Sequence, residues 1–492
     1  MTTLPSSLYQ CSQVKAIDLA IIKNGTPGFE LMMRAGRASF DLLVKTWPEA
    51  DKITVVCGGG NNGGDGYIVA GLAMSSSLEV SVVSIVDTAT LRGDAKLAYD
   101  FALKQGVQTV SILRTQESIT DLSISGVVVD ALLGIGLQGK IRENHAQLIR
   151  RIHATKLPVL SLDIPSGLCG DSGSPLGDCM KASQTITYIA LKQGLLAGGA
   201  SYYTGELVFD DLGVKTSVND LGIEPSAHRL IEEKPLLPPR SLNSHKGLFG
   251  SLVVIGGSDG MGGAGIMASE AGFIAGAGVV RLMTHEGHRA VALSRTPELM
   301  TSNYLHQQEV GRWLSGSSAL IFGPGLEWSE EIDSLFRHFL DYEKPMVVDA
   351  QGLQFLADQP RLKSNWVLTP HPGEAAKLLG CKSDEIQRDR FFAAKAIQRK
   401  YGGVCVLKGA GTLVATAQRI HVCEHGNPSM STAGMGDILA GLIGGLLAQG
   451  FGLEAAAKLA VWAHATAGDS ATRKLGKHLR ATDIYPFLRS LW

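Results

Sequence analysis

From Lys52 onward the chain alternates short, β-branched apolar runs with longer amphipathic stretches, and this alternation limits the fold more than any other feature. KITVVCGGG from Lys52, LEVSVVSIV from Leu78, GVVVDALLG from Gly126 and LPVLSLDIPSG from Leu157 read as strands. Helical stretches such as Arg92–Gln105 and Asn144–Thr155 lie between them. Strands that recur with helices between them build βαβ units, so the first half is predicted to be a Rossmann-like, doubly wound parallel sheet. Three of these runs end in turns rich in glycine or aspartate, and such sheets gather ligands at the carboxyl ends of their strands. The proline-rich, charged segment Ile231–Lys246 breaks the rhythm and reads as a linker or domain crossing. Beyond it the pattern resumes in GSLVVIGGS, SALIFGPG, KPMVVDAQGL, NWVLTPHPGE and GVCVLKGAGTLVA. No short repeat period is visible, so two distinct α/β domains are expected, 1–225 and 226–492.

With 45% hydrophobic and 18% charged residues, a chain of 492 residues has material for two or three packed cores. A net charge of −1, with both signs interspersed, gives no footing for nucleic acid or an anionic membrane. The seven cysteines include no close CxxC pair, which argues against a disulfide framework or a zinc site. Ile438–Ala448 is too short and too glycine-rich to span a bilayer, and MTTLPSSLYQ does not read as a signal peptide. A cytoplasmic protein is expected.

Two glycine-rich constellations carry the chemistry. GNPSMSTAGMGDILAGLIGG, from Gly426 to Gly445, runs small residues into an apolar helix with Asp437 at the junction. Unpaired N–H groups and the dipole at a helix start form an anion hole, and a carboxylate beside one suits phosphoryl transfer to a hydroxyl. A tight loop before a packed helix explains this stretch alone equally well. GGGNNGGDGY, Gly58 to Tyr67, follows a strand and is expected to form a ligand loop, though it is neither GxGxxG nor Walker A. Asp130 and Asp163 each end an apolar strand, with Ser166 close behind Asp163, and are read as facing one pocket. Amide, carboxylate and hydroxyl oxygens of this kind suit a hard cation. In the second half, the small residues after GSLVVIGGS suit either close ligand approach or tight helix packing. Lys408 is a candidate phosphate partner, and His371, between two prolines, a candidate to face substrate.

NNGGDGY, DALLGIG and DIPSGL, in this order, resemble the NAD(P)H-hydrate epimerase family over nearly the whole first half. The resemblance implies that Asn61, Asn62, Gly63, Gly64 and Asp65, with Gly134, Ile135, Gly136, Leu137, Gln138, Gly139 and Lys140, hold the hydrated nicotinamide nucleotide. It assigns potassium to Asn62, Asp130 and Ser166, and contact with the reacting centre to Asp163. Ile135 stands where the family has threonine, which removes a hydroxyl. From about Arg240 to Trp492, the small-residue helix, GPGLE, TPHPGE, KGAGTLVA and AGMGD together resemble the ADP/ATP-dependent NAD(P)H-hydrate dehydratases of the ribokinase-like superfamily. By that resemblance Ala264, Gly325, His371 and Asp437 contact the hydrate. Lys408, Gly409, Ala410, Gly411, Thr412 and Gly436 bind the adenine nucleotide, with magnesium. Met435 and Glu327 depart from the family pattern at the nucleotide end.

The implied chemistry is repair of hydrated NADH and NADPH. ADP phosphorylates the C6 hydroxyl of one epimer with Asp437 as base, phosphate leaves, and AMP is released. The first domain, with potassium and Asp163, interconverts the epimers. Relatives with both domains suggest a homo-oligomer. An ATP-dependent small-alcohol kinase and a non-catalytic nucleotide sensor are the rival readings.

Overall fold

The computed structural model describes residues 3–111, 119, 122–137, 139–214, 218–231, 237 and 239–492. Two compact units divide the chain, residues 1–227 and 228–492. Within the proline-rich segment, residues 232–236 and 238 lie outside the described set. Arg240 belongs to the second unit, where it donates to Gly276 O at 2.7 Å.

Among the described residues of the first unit, seven parallel strands form one sheet. They are β1 (Lys52–Cys57), β2 (Glu79–Ser84), β3 (Thr109–Ser111), β4 (Val127–Ala131), β5 (Val159–Leu162), β6 (Gln184–Tyr188) and β7 (Glu206–Asp210). Their order is 3-2-1-4-5-6-7. Successive side chains point to opposite faces of a strand. Val55 and Val129 therefore join the core under the helices Gly28–Thr46 and Asn61–Ser75, while Val56 and Val128 join the core under Glu143–Thr155. Each such burial stabilises by roughly 1.5–3 kcal/mol. The chain leaves β1 toward β2 and leaves β4 toward β5, so a crevice opens between the carboxyl ends of β1 and β4. The Gly58 N–H, bonded to Ala131 O at 3.0 Å, pins its floor.

The second unit repeats this order. Strands β8 (Ser251–Ile255), β9 (Val279–Thr284), β10 (Met300–Asn303), β11 (Ala319–Phe322), β12 (Met346–Val348), β13 (Trp366–Leu368) and β14 (Val404–Leu407) run parallel in the order 10-9-8-11-12-13-14. Antiparallel β15 (Thr412–Ala415) and β16 (Ile420–Cys423) extend it. GVCVLKGAGTLVA, read as one run, is thus two strands of a hairpin turning at Gly409–Gly411. The stripe of small residues is a helix contact: the helices Gly262–Ile274 and Met435–Ala448 approach so closely that a Cβ on Gly441 would overlap Ala268 O. No helix among the described residues is long and apolar enough to cross a membrane.

Candidate functional site

The crevice of the first unit is a cleft of about 740 Å³. Asn61 opens the helix Asn61–Ser75, so Asn61, Asn62, Gly63, Gly64 and Asp65 form its first turns rather than the loop expected from the glycines. The glycines permit burial instead. Gly64 seats against Met32, where a Cβ would lie 2.6 Å from the sulfur. Asn61, Asn62, Gly63 and Asp65 line the cleft, as do Gly134, Ile135, Gly136, Leu137 and Lys140 from the loop after β4. Gly139 turns that loop with φ +72°, and Gln138 lies outside the described residues.

Asn62, Asp130 and Ser166 meet around the main chain of Leu133. Asp130 is level with Ser161 in the parallel register of β4 and β5, and lies buried beneath the cleft. It accepts from Ser166 Oγ at 2.5 Å, Ser166 N at 2.9 Å and Ser161 Oγ at 2.8 Å. Burial raises its pKa despite these donors. Ser166 Oγ accepts from Leu133 N at 2.8 Å, and Asn62 Nδ2 donates to Leu133 O at 3.0 Å. Asn62 Oδ1 is buried without a partner. An unanswered amide oxygen beside a carboxylate and a hydroxyl is the donor chemistry of a hard monovalent or divalent cation.

Asp163 follows β5 with φ +63°, a left-handed conformation that aspartate tolerates better than most side chains. It pairs with the buried Lys192, which also donates to Thr187 Oγ1 at 2.9 Å. Asp18 and Asp65 line the same cleft. Burial, with the Asp163 charge adding and Lys192 opposing, pushes Asp18 up to about 6. Burial pushes Asp65 well above the carboxylate range, with Asp163 and Asp18 adding. Burial therefore favours the protonated form of Asp65 beside the ion-paired Asp163. The sequence reading missed Asp18 and Lys192. The lone lysine in the otherwise uncharged run TYIALKQGLL was the available signal for the second.

In the second unit, the carboxyl ends of β12, β13 and β14 supply Asp349, His371 with Glu374, and Lys408. Lys408 Nζ bonds Asp349 Oδ1 at 2.8 Å and lies 3.9 Å from Glu374. Burial works against the Lys408 charge, yet Asp349, Glu374 and Asp437 outweigh it and raise its pKa. Asp437 stands in the first turn of Met435–Ala448. Its pKa rises to about 6, through burial first and then repulsion from Asp349, with Lys408 opposing. Gly434 precedes that helix at φ +95° with no side-chain cap, and the first N–H groups of a helix have no partner within it. Close to this start, Gly436 passes Lys408 so tightly that a Cβ would lie 3.2 Å from Nζ.

His371 caps the helix Pro372–Leu379: its Nδ1 accepts from Gly373 N at 3.0 Å and Glu374 N at 3.3 Å, and Glu374 returns a bond to His371 N at 2.8 Å. With Nδ1 accepting, Nε2 is the ring nitrogen that carries the proton, 3.5 Å from Glu374 Oε1. Ala264 and Gly325 touch across the β8–β11 crevice, where a Cβ on Gly325 would lie 2.8 Å from that of Ala264. The loops behind them are laced by Gly257 N to Pro324 O at 2.9 Å and Ser258 N to Gly325 O at 2.8 Å. Gly409, Ala410, Gly411 and Thr412 form the β14–β15 turn, closed by Thr412 Oγ1 to Gly409 O at 2.8 Å. Asp349 and Glu374 were not singled out from the sequence, although Asp349 carries the strand-end signal that found Asp130 and Asp163.

Comparison with known proteins returns both halves. Residues 252–489 match the family NAD(P)H-hydrate dehydratase, and residues 28–194 match the YjeF-related protein N-terminus. The bifunctional NAD(P)H-hydrate repair enzyme Nnr of Coxiella burnetii is 42% identical over 98% of this chain and 99% of its own. Its Escherichia coli counterpart is 40% identical over 94% and 89%. A ribokinase-like superfamily protein from Enterococcus faecalis superposes with a TM-score of 0.50 at 26% identity, covering 53% of this chain and 94% of that one.

Proposed function

We propose, from the premise that this chain belongs to the bifunctional NAD(P)H-hydrate repair enzymes, that each crevice performs one half of the repair. The observation that carries the reading is Asp437, a carboxylate at the start of a glycine-led helix, held beside Lys408 and two further acids.

In the second crevice Asp437 accepts the proton of the C6 hydroxyl as the terminal phosphoryl of ADP passes to that oxygen. The N–H groups around Gly436 hold the charge that develops on the phosphoryl oxygens. The ring nitrogen then expels phosphate to give a C6=N iminium, C5 gives up a proton to solvent, and the C5=C6 double bond returns, with AMP left from the donor. His371, through its fixed Nε2, orients the hydrate against Ala264 and Gly325. Three acids around one lysine make this crevice net negative, so a nucleotide needs a counter-cation there. Asp349 and Glu374 fit magnesium, which would neutralise the phosphates.

In the first crevice Asp65 supplies the proton with which the C6 hydroxyl departs as water, and the nitrogen lone pair closes a C=N bond. Water returns from the opposite face and gives its proton to Asp163, whose charge Lys192 balances. Asn62, Asp130 and Ser166 fit potassium, which would add positive charge near the substrate phosphates. The glycine loop from Gly134 holds the dinucleotide by its main chain, so Ile135 in place of a hydroxyl residue leaves binding intact. Cytoplasmic location and homo-oligomeric assembly belong to the same reading, and sedimentation of the full chain tests the second.

The test is product analysis on chemically hydrated NADH with ADP. Repair yields NADH, AMP and phosphate in equal amounts. A kinase would leave a stable phosphorylated alcohol and prefer ATP, and a sensor would leave the nucleotide intact.

A further inference from the structure

We infer that Asp259, His285 and His288 form a binding site for a divalent transition-metal ion of the Zn²⁺ class on the rim of the second unit's crevice. The site is separate from the carboxylate cluster and does not depend on the function proposed above. Asp259 lies in the loop after β8, His285 directly follows β9, and His288 closes the turn Glu286–His288. One candidate ligand atom from each residue lies within 4.8 Å of the other two. The His285 Nδ1 to Asp259 Oδ1 distance is 3.9 Å, and the two rings stand edge to face with centroids 5.6 Å apart.

Bonds of about 2.0–2.2 Å to a tetrahedral ion put neighbouring ligand atoms about 3.4 Å apart, so closure needs a shift of about 1 Å. Asp259 can supply it, because its side chain is 88% exposed on a glycine-flanked loop. His285 Nδ1 accepts from Gly287 N at 3.3 Å, a bond the ion would replace, and the His288 ring is held by packing. It packs on Gly262 so closely that a Cβ there would lie 2.5 Å from the ring. Its Nδ1 is buried without a hydrogen-bond partner, so no bond at that atom dictates the tautomer and the ring can offer a lone pair.

The ligand types select the ion. Two imidazoles with one carboxylate suit zinc and its neighbours, whereas magnesium and calcium want oxygen alone. The adjacent start of the helix Gly262–Ile274 carries partial positive charge, which further disfavours an ion held by charge alone. Three protein ligands leave a position open to solvent. The ion would tie the Asp259 loop to the end of β9, alongside the existing bond from His285 N to Gly257 O at 3.0 Å. That same loop holds Gly325 O through Ser258 N, so occupancy would stiffen one wall of the crevice.

The test titrates Zn²⁺ alone into the full chain after chelator treatment, by calorimetry, with Co²⁺ absorption as a second readout. One ion per chain should bind with a Co²⁺ spectrum of imidazole ligation. His285→Ala and His288→Ala should each weaken it by more than about 100-fold, the upper end of what losing a supporting contact costs. Asp259→Asn, on an exposed side chain with no fold to disturb, should weaken it and remove the thermal shift that Zn²⁺ gives the wild type. His338→Ala, at a histidine remote in sequence on the helix Glu330–Phe339, should change nothing. Ions taken up by the carboxylate cluster would persist in every variant. Equal uptake by the wild type and the His285→Ala/His288→Ala double variant, or no uptake at all, would overturn the site.

Discussion

Asp437, the proposed base, shows how a buried carboxylate is set against stability. Its pKa of about 6 in the fold exceeds the ordinary carboxylate value, so the folded state binds its proton more tightly than the unfolded state does. Its ionisation therefore costs stability as pH rises from about 4 through 6, and the cost is fully present at pH 7. Asp437→Asn should raise stability at pH 7 by up to about 2–3 kcal/mol in chemical denaturation, and the gain should vanish below about pH 4. Lys192 has the opposite standing. Lys192→Met leaves the partly buried Asp163 beside Asp65 and Asp18 without its counter-charge, so it should destabilise the chain by roughly 3 kcal/mol, the low end for breaking a buried pair, and abolish epimer interconversion. Dehydration of the reactive epimer should survive, which a coupled assay on separated epimers would read.

At the scale of elements, the strands were legible because valine-rich runs ending in glycine or aspartate have few other uses. The strand-end rule found Asp130, Asp163 and Lys408, and applied without exception it also reaches Asp349. Asp18 was not legible: it reaches the cleft from the helix Cys11–Lys23, and only tertiary packing brings it to Asp163. The glycines misled where they serve packing rather than phosphate. Asn62 and Asp65 project from a helix because Gly63 and Gly64 let that helix sink against β1 and Met32. The contact between Gly262–Ile274 and Met435–Ala448 gives a direct check. Gly441→Ala pushes a methyl into Ala268 O and should cost about 2–4 kcal/mol. Gly263→Ala, with nothing within 4 Å of the new methyl, should be neutral or gain up to about 1 kcal/mol from helix propensity. Thermal unfolding of the pair separates packing from backbone effects.

Across the whole molecule, two units with the same strand order each carry an acid beside a lysine: Asp163 paired with Lys192 in one, Asp437 near Lys408, Asp349 and Glu374 in the other. The activities should therefore fail separately. Asp163→Ala should leave one epimer unrepaired while the other is consumed at the wild-type rate, and Asp437→Asn should leave both epimers hydrated but still interconverting.

The most direct measurement is the single-turnover rate of ADP-dependent dehydration, followed across pH in the wild type and in Asp437→Asn. The wild-type rate should fall as pH drops through about 6, because the base must be ionised, and the variant should be slower by at least about 100-fold with no inflection there. A variant that keeps both the rate and the inflection would contradict the assignment of Asp437 as the base.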